Sequence, residues 1–314
     1  MSQQQQIQHQ VSWIGLGNMG RGMARNICAK ANLTHPLLIF NRTVSRAQEF
    51  AASFENPSSV QVAENVVAAV KPADIVFTSL GDDASVVAIY DEILAAGPVT
   101  GKLFIETSTI LPEITNEIAE KVLAAGAEFI ASPVFGAPAM ADAGSLVVVV
   151  AGAASSIDKA SPFFTGVIGR SVIDLRGHAP GKALLLKLTG NSFILSMVET
   201  LAEGHAWAEK SGLGSDLLHK FIENMMPGPF VAYSNRMMSG DYLREDPLFA
   251  VDLARKDAGH AIKLAESVGV DMKITKVADE HLKTVKEVRG ERGDLPAIYG
   301  AVRKESGLDF SNRK

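Results

Sequence analysis

Between Val11 and about Asp174, short apolar runs alternate with stretches of helical periodicity, and no other feature of this chain restricts its fold as tightly. VSWIG, PLLIF, VQVA, DIVFTSL, KLFIE, EFIAS, SLVVVVAG and SVIDL read as strands. Helical segments near Met19–Lys30, Val44–Ser53, Ala84–Ala96 and Pro112–Ala125 separate them. A strand that returns parallel to its neighbour must cross the sheet, and a helix is the usual crossing. The alternation therefore predicts an α/β domain with a doubly wound parallel sheet.

After RGHAPGK the texture changes to helical periodicity with almost no strand signal. A first helix runs unbroken from about Lys182 to Lys210, on the order of 40 Å at 1.5 Å per residue. Gly190 and Gly204 are its weak points. Further helices are expected around Leu217–Met225, Ala250–Ser267 and Lys273–Val288. The predicted division is a tail at 1–10, an α/β domain at 11–178 and an all-α domain at 179–314.

The opening MSQQQQIQHQ is polar and of low complexity, so disorder is expected there. It shows neither an apolar signal core nor an Arg-rich amphipathic pattern, and no apolar run reaches the roughly 18 residues of a membrane span. A cytoplasmic protein without membrane partners is the expectation. The net charge of −5 argues against a nucleic-acid partner. Cys28 is the only cysteine, which rules out an internal disulfide and a cysteine-built metal site.

Directly after the first strand comes Gly15-Leu16-Gly17-Asn18-Met19-Gly20, opening a helix. A glycine pattern alone is weak; between a strand and a helix it is strong. Gly15 permits the tight turn, Gly17 the close approach of backbone to a pyrophosphate, and Gly20 the packing of helix on strand. The domain is thus expected to be Rossmann-type. The second strand ends in Asn41, Arg42 and Thr43, where an NAD site would carry a carboxylate for the ribose 2′-hydroxyl. A guanidinium there can pair with a 2′-phosphate instead. The coenzyme expected is NADP(H), with no metal.

Hydride transfer needs a proton partner for the substrate oxygen. None of the seven histidines stands in a distinctive pattern, and no Tyr-x-x-x-Lys occurs. Lys187 is better placed. It lies early in the long helix among Leu184, Leu188 and Leu195, with Asn191 one turn on along the same face. Desolvation there would lower its pKa toward the working range. A lysine that extends its head to water fits the bare pattern equally well.

At this point the chain resembles the β-hydroxyacid dehydrogenases, a group that includes 3-hydroxyisobutyrate dehydrogenase and, more distantly, 6-phosphogluconate dehydrogenase. WIGLGNMGRGMARN is similar to the family's opening fingerprint, ETSTILPE to its S-T-I-x-P segment, GKALLLKLTGN to its lysine helix and LARKDAGHAIKLA to its K-D segment. The resemblance implies that Lys187 is catalytic and Asn191 positions substrate. It further implies that Thr109, Leu80 and Gly81 lie about the nicotinamide, that Lys256 reaches the coenzyme, and that the site is completed where the two domains meet. It also implies subunit contacts, as a homodimer or homotetramer, through the helical half. Where the family's substrate loop reads S-G-G, this chain has Phe135, Gly136 and Ala137. Backbone N–H groups at Gly136 and Ala137 remain for a carboxylate, but the ring suggests a less polar or bulkier substrate. Two further departures, Ala183 and Gly190, flank the lysine. The leading expectation is an oxidoreductase interconverting a small carbonyl compound and its hydroxy form, a 3-hydroxy acid or a semialdehyde. Imine reduction and non-catalytic NADPH sensing are the alternatives.

Overall fold

The computed structural model describes residues 6–313. Contacts divide the chain into two compact units, the first ending at Lys187 and the second beginning at Leu188. The division falls inside one helix, whereas the sequence placed it at 178/179, where the texture changes.

The first unit holds one nine-stranded sheet. Its strands are β1 (Val11–Ile14), β2 (Leu37–Phe40), β3 (Val60–Val62), β4 (Ile75–Thr78), β5 (Leu103–Glu106), β6 (Glu128–Ala131), β7 (Val134–Phe135), β8 (Leu146–Gly152) and β9 (Gly169–Arg176). The order is β3-β2-β1-β4-β5-β6-β8-β7, with β9 also on β8. From β3 through β6 every pairing is parallel. Strand β8 runs antiparallel to β6 and β7, so the sheet is mixed at one side rather than parallel throughout. The two-residue β7 and the short helices Val66–Val70, Pro138–Ala143 and Ala154–Ala160 are absent from the sequence reading. Elements this short show too little periodicity to be seen.

Alternation along each central strand feeds both faces. Trp13, Ile75, Phe77 and Ile105 enter one core with Met23, Ile27 and Phe163. Ile14, Val76 and Phe104 enter the other with Tyr90 and Ile118. Both faces are apolar because helices cover both, as a doubly wound sheet requires. Trp13 and Phe77, paired across β1 and β4, stack with ring centroids 5.2 Å apart.

Of the expected tail, residues 1–5 lie outside the described residues. Its later part is ordered, contrary to expectation. Ile7 bridges Leu33, donates its N–H to the Asn32 carbonyl and is only 9% exposed. One apolar residue in a glutamine run is enough to tie the tail to the segment before β2.

The long helix spans Gly181–Lys210, running without a break through Gly190 and Gly204. Its length and a mean hydropathy of 1.2 over 18 residues would let it cross a membrane, yet 56% of that window is buried in the protein, as in a core helix. Beyond Lys187 the described residues are helical, with one isolated bridge, Ala250 to Asp294. Leu195, Val198 and Leu201 pack with Ile222, Val251, Leu282 and Tyr299 to form the second unit's core. The helices Pro229–Met238 and Ile298–Glu305 were not foreseen.

Candidate active site

The glycine turn sits where the strand order reverses. Gly15 follows β1, adopts φ +98°, and donates its N–H to the Phe40 carbonyl of β2 at 2.9 Å. A Cβ on Gly15 would stand 2.2 Å from the Ser79 carbonyl after β4, and one on Gly20 would stand 2.3 Å from the Gly15 carbonyl. Those two glycines are demanded by the protein itself. Gly17 is different. It is exposed, and a Cβ there would meet nothing within 4 Å. The space above it is free for a ligand, and the helix Gly20–Lys30 begins without a side-chain cap. Uncapped N–H groups beside open space suit a pyrophosphate. Leu16 is buried, while Asn18 and Met19 are half-buried.

The segment after β2 divides its work. Asn41 Oδ1 accepts the Leu16 N–H at 3.0 Å, and Asn41 Nδ2 donates to the Thr43 carbonyl at 3.0 Å. Its amide thus braces the glycine turn, a positioning role the sequence reading did not assign. Arg42 and Thr43 are exposed.

After β4 and β5, two loops carry Leu80, Gly81 and Thr109, and they are tied together. Leu80 N–H donates to Ser108 Oγ at 2.7 Å, and Leu111 N–H to Asp83 Oδ1 at 2.9 Å. Beneath them lies Glu106, fully buried. Thr78 Oγ1 donates to Glu106 Oε2 and Ser108 N–H to Oε1, each at 2.6 Å. Tyr90 O–H lies 3.1 Å from Thr78 Oγ1, whose own proton goes to the carboxyl, so the phenol is the donor. Burial pushes the Glu106 carboxyl up from its usual range, while the bonds from Ser108 and Thr78 act against that rise. Burial and then the neighbouring Glu106 push the Tyr90 phenol well above its ordinary value. Sequence reasoning quoted ETSTILPE and passed over its first residue. A carboxylate ending a buried apolar strand was the available signal, since such a group needs partners.

Lys187 is the seventh residue of the long helix and only 9% exposed. Its Nζ stands 4.7 Å from the centre of the Phe135 ring at the end of β7. The reading in which this head extends to open water is therefore set aside. Gly136 follows with φ +142°, and Gly136 and Ala137 are exposed. These positions, the glycine turn and the two tied loops all belong to the first unit.

In the second unit, Asn191 is buried, and its Nδ2 donates to Asp257 Oδ2 at 2.6 Å. Lys256 Nζ lies 3.3 Å from Asp257 Oδ1. Asp257, 3% exposed, was not picked out from sequence, although it directly follows Lys256. Among the described residues no group of three or more His, Cys, Asp or Glu side chains is placed to hold a metal ion.

Residues 10–177 match the family model described as the NAD binding domain of 6-phosphogluconate dehydrogenase. Residues 181–302 match the one described as NAD-binding of NADP-dependent 3-hydroxyisobutyrate dehydrogenase. The chain is 37% identical to the NADH-dependent oxidoreductase ucdB of Aspergillus ustus, over 93% of this chain and 99% of that one. It is 27% identical to 3-sulfolactaldehyde reductase of Escherichia coli, over 95% and 97%. Among solved structures it is similar to Mycobacterium tuberculosis 3-hydroxyisobutyrate dehydrogenase with L-serine. The TM-score there is 0.77 and the identity 25%, covering 95% of this chain and all of that one.

Proposed function

As the chain belongs to the β-hydroxyacid dehydrogenase family of NAD(P)-binding oxidoreductases, we propose that it uses NADP(H) to interconvert a small hydroxy acid or semialdehyde, or a related carbonyl compound, with its redox partner. Lys187 is the general acid and base of this reading. The observation that carries it is an amine sunk to 9% exposure in the helix that resembles the family's lysine helix. When bound, the nicotinamide coenzyme supplies or accepts the hydride. In reduction, Lys187 passes a proton from Nζ to the substrate oxygen; in oxidation it takes that proton back. Asn191 and Lys256 hold substrate and coenzyme, as the resemblance implies. The Gly15–Gly20 turn binds the pyrophosphate, and the tied loops bearing Leu80, Gly81 and Thr109 shape the nicotinamide pocket.

Coenzyme choice rests on the end of β2. Exposed Arg42 and Thr43, with no carboxylate beside them, support NADP(H). A second reading, NAD(H), is favoured by the name of the 37% identical relative. The test is kcat/KM with NADPH and with NADH for wild type and Arg42→Ala, over glyoxylate, succinic semialdehyde, uncharged ketones and cyclic imines. A charge-assisted bond is worth about 1.5–3 kcal/mol. Wild type is therefore expected to favour NADPH by at least tenfold, and Arg42→Ala to erode that preference by roughly 10–100-fold. A wild-type preference for NADH that is untouched by the substitution overturns the NADP(H) reading.

The reading includes a cytoplasmic homodimer or homotetramer acting on a small molecule. Phe193 and Trp207 support association, being 73% and 77% exposed. They stand about four turns apart on one side of the long helix. Leu217, Phe221 and Met225 are exposed on the helix that follows. Light scattering is expected to give two or four times 33.4 kDa, and a monomeric mass removes this part.

A further inference from the structure

We infer that Phe135 replaces the polar grip on a substrate carboxylate with an apolar one, so that the preferred substrate is an uncharged carbonyl compound bearing an aromatic or branched apolar group beside the reacting carbon. The inference rests on the proposed reduction at Lys187 and specifies its substrate class. Three observations converge on it.

The first is the pairing of ring and amine. With Nζ 4.7 Å from its centre, the Phe135 face is engaged with a cation, as its electron-rich surface favours. That same surface repels an anion, and a phenyl group has no hydroxyl with which to bind one. A carboxylate set against this ring would lose water to a face that returns no hydrogen bond, leaving it only the backbone N–H groups of Gly136 and Ala137.

The second is that the ring is fixed. Phe135 pairs with Val147 across antiparallel strands and packs against the buried cluster that contains Phe129 and Leu184. The next residue leaves no room for a side chain. Gly136 holds φ +142°, and a Cβ there would stand 2.6 Å from Leu146 Cδ2 and 3.3 Å from Met140 Cβ. The ring thus sits at a strand end, packed on the sheet, with the lysine Nζ 4.7 Å from its centre.

The third is that Phe135 is only half-buried. Part of its surface therefore stays available to a ligand beside the proton donor.

The test compares phenylacetaldehyde with succinic semialdehyde, using wild type, Phe135→Ser and Phe135→Leu with whichever coenzyme each enzyme prefers. Wild type is expected to show at least tenfold higher kcat/KM for phenylacetaldehyde. Phe135→Ser is expected to shift that ratio roughly 10–100-fold toward the semialdehyde, mainly through KM, while Phe135→Leu keeps the apolar preference. Wild-type preference for succinic semialdehyde, or a ratio unmoved within twofold in Phe135→Ser, overturns the inference and leaves catalysis by this family's chemistry standing. If nothing in the panel is reduced, the proposed function fails instead. The inference is then judged by ligand-observed NMR on the wild-type enzyme with coenzyme. Acetophenone binding in preference to succinate sustains it, and the reverse order overturns it.

Discussion

Lys187→Ala is expected to lower kcat by about 10²–10⁴-fold, the usual contribution of a positioned proton donor, while leaving coenzyme affinity within a few-fold of wild type. The first half follows from what the substitution deletes. Reduction builds negative charge on the substrate oxygen, and without Nζ only water can meet it, at a cost of about 3–5 kcal/mol in the barrier. The second half follows from where the proposed coenzyme contacts lie. The glycine turn, Arg42 and the loops at Leu80 and Thr109 sit on the ends of β1, β2, β4 and β5 rather than on the long helix. Coenzyme titration by fluorescence and steady-state kinetics measure the two quantities separately. Lys187→Arg tests whether charge suffices: the guanidinium keeps the charge over Phe135 but holds its proton too tightly to give it up. It is expected to remain at least 10²-fold impaired. Should Lys187→Ala keep more than a tenth of wild-type kcat on the best substrate, the proton comes from elsewhere.

How much of this was legible beforehand depended on whether the signal was local. The core strands were legible because each is a run of apolar residues, and burial on both faces leaves no polar interruption between Ile75 and Phe77 or Leu103 and Ile105. The mixed edge was not. Strand direction at β8 is decided by which strand it pairs with, and SLVVVVAG reads the same in either direction. Gly15 and Gly20 were legible because their neighbours lie within a few residues or at the adjoining strand end. Asn41 was given to the coenzyme because its position suggests that role, whereas its amide is engaged 25 residues back in the chain, at Leu16. Glu106 and Asp257 were missed for a similar reason. Their partners, Thr78 and Asn191, lie 28 and 66 residues away, and no sequence window contains both ends of either bond. Lys187 shows the limit most clearly. The residues left a buried amine and a solvated one equally open, and the ring that decides between them is 52 positions earlier in the chain.

The first two glycines of the turn should fail in different ways, and that difference tests whether a pyrophosphate lies there. Gly15→Ala places a methyl 2.2 Å from a backbone carbonyl that closes β4, at φ +98°. Backbone strain at such an angle costs about 1–3 kcal/mol, and overpacking about as much again. Unfolding of the coenzyme-free protein should therefore move down by roughly 5–25 °C, taking about 2–4 °C per kcal/mol for a unit of this size. Coenzyme binding is lost along with the turn. Gly17→Ala meets no protein atom within 4 Å, so the free protein should melt within about 2 °C of wild type, helped if anything by a stiffer unfolded chain. Its methyl instead fills the space through which backbone approaches the phosphates. The expected result is a coenzyme Kd raised at least tenfold, together with loss of most of the thermal shift that coenzyme gives the wild type. Calorimetric unfolding with and without NADPH reads both variants in one experiment. A Gly17→Ala protein that binds NADPH and NADH as tightly as wild type would place the phosphates away from this turn, and the helix N-terminus with its open glycine would then lose its assigned ligand.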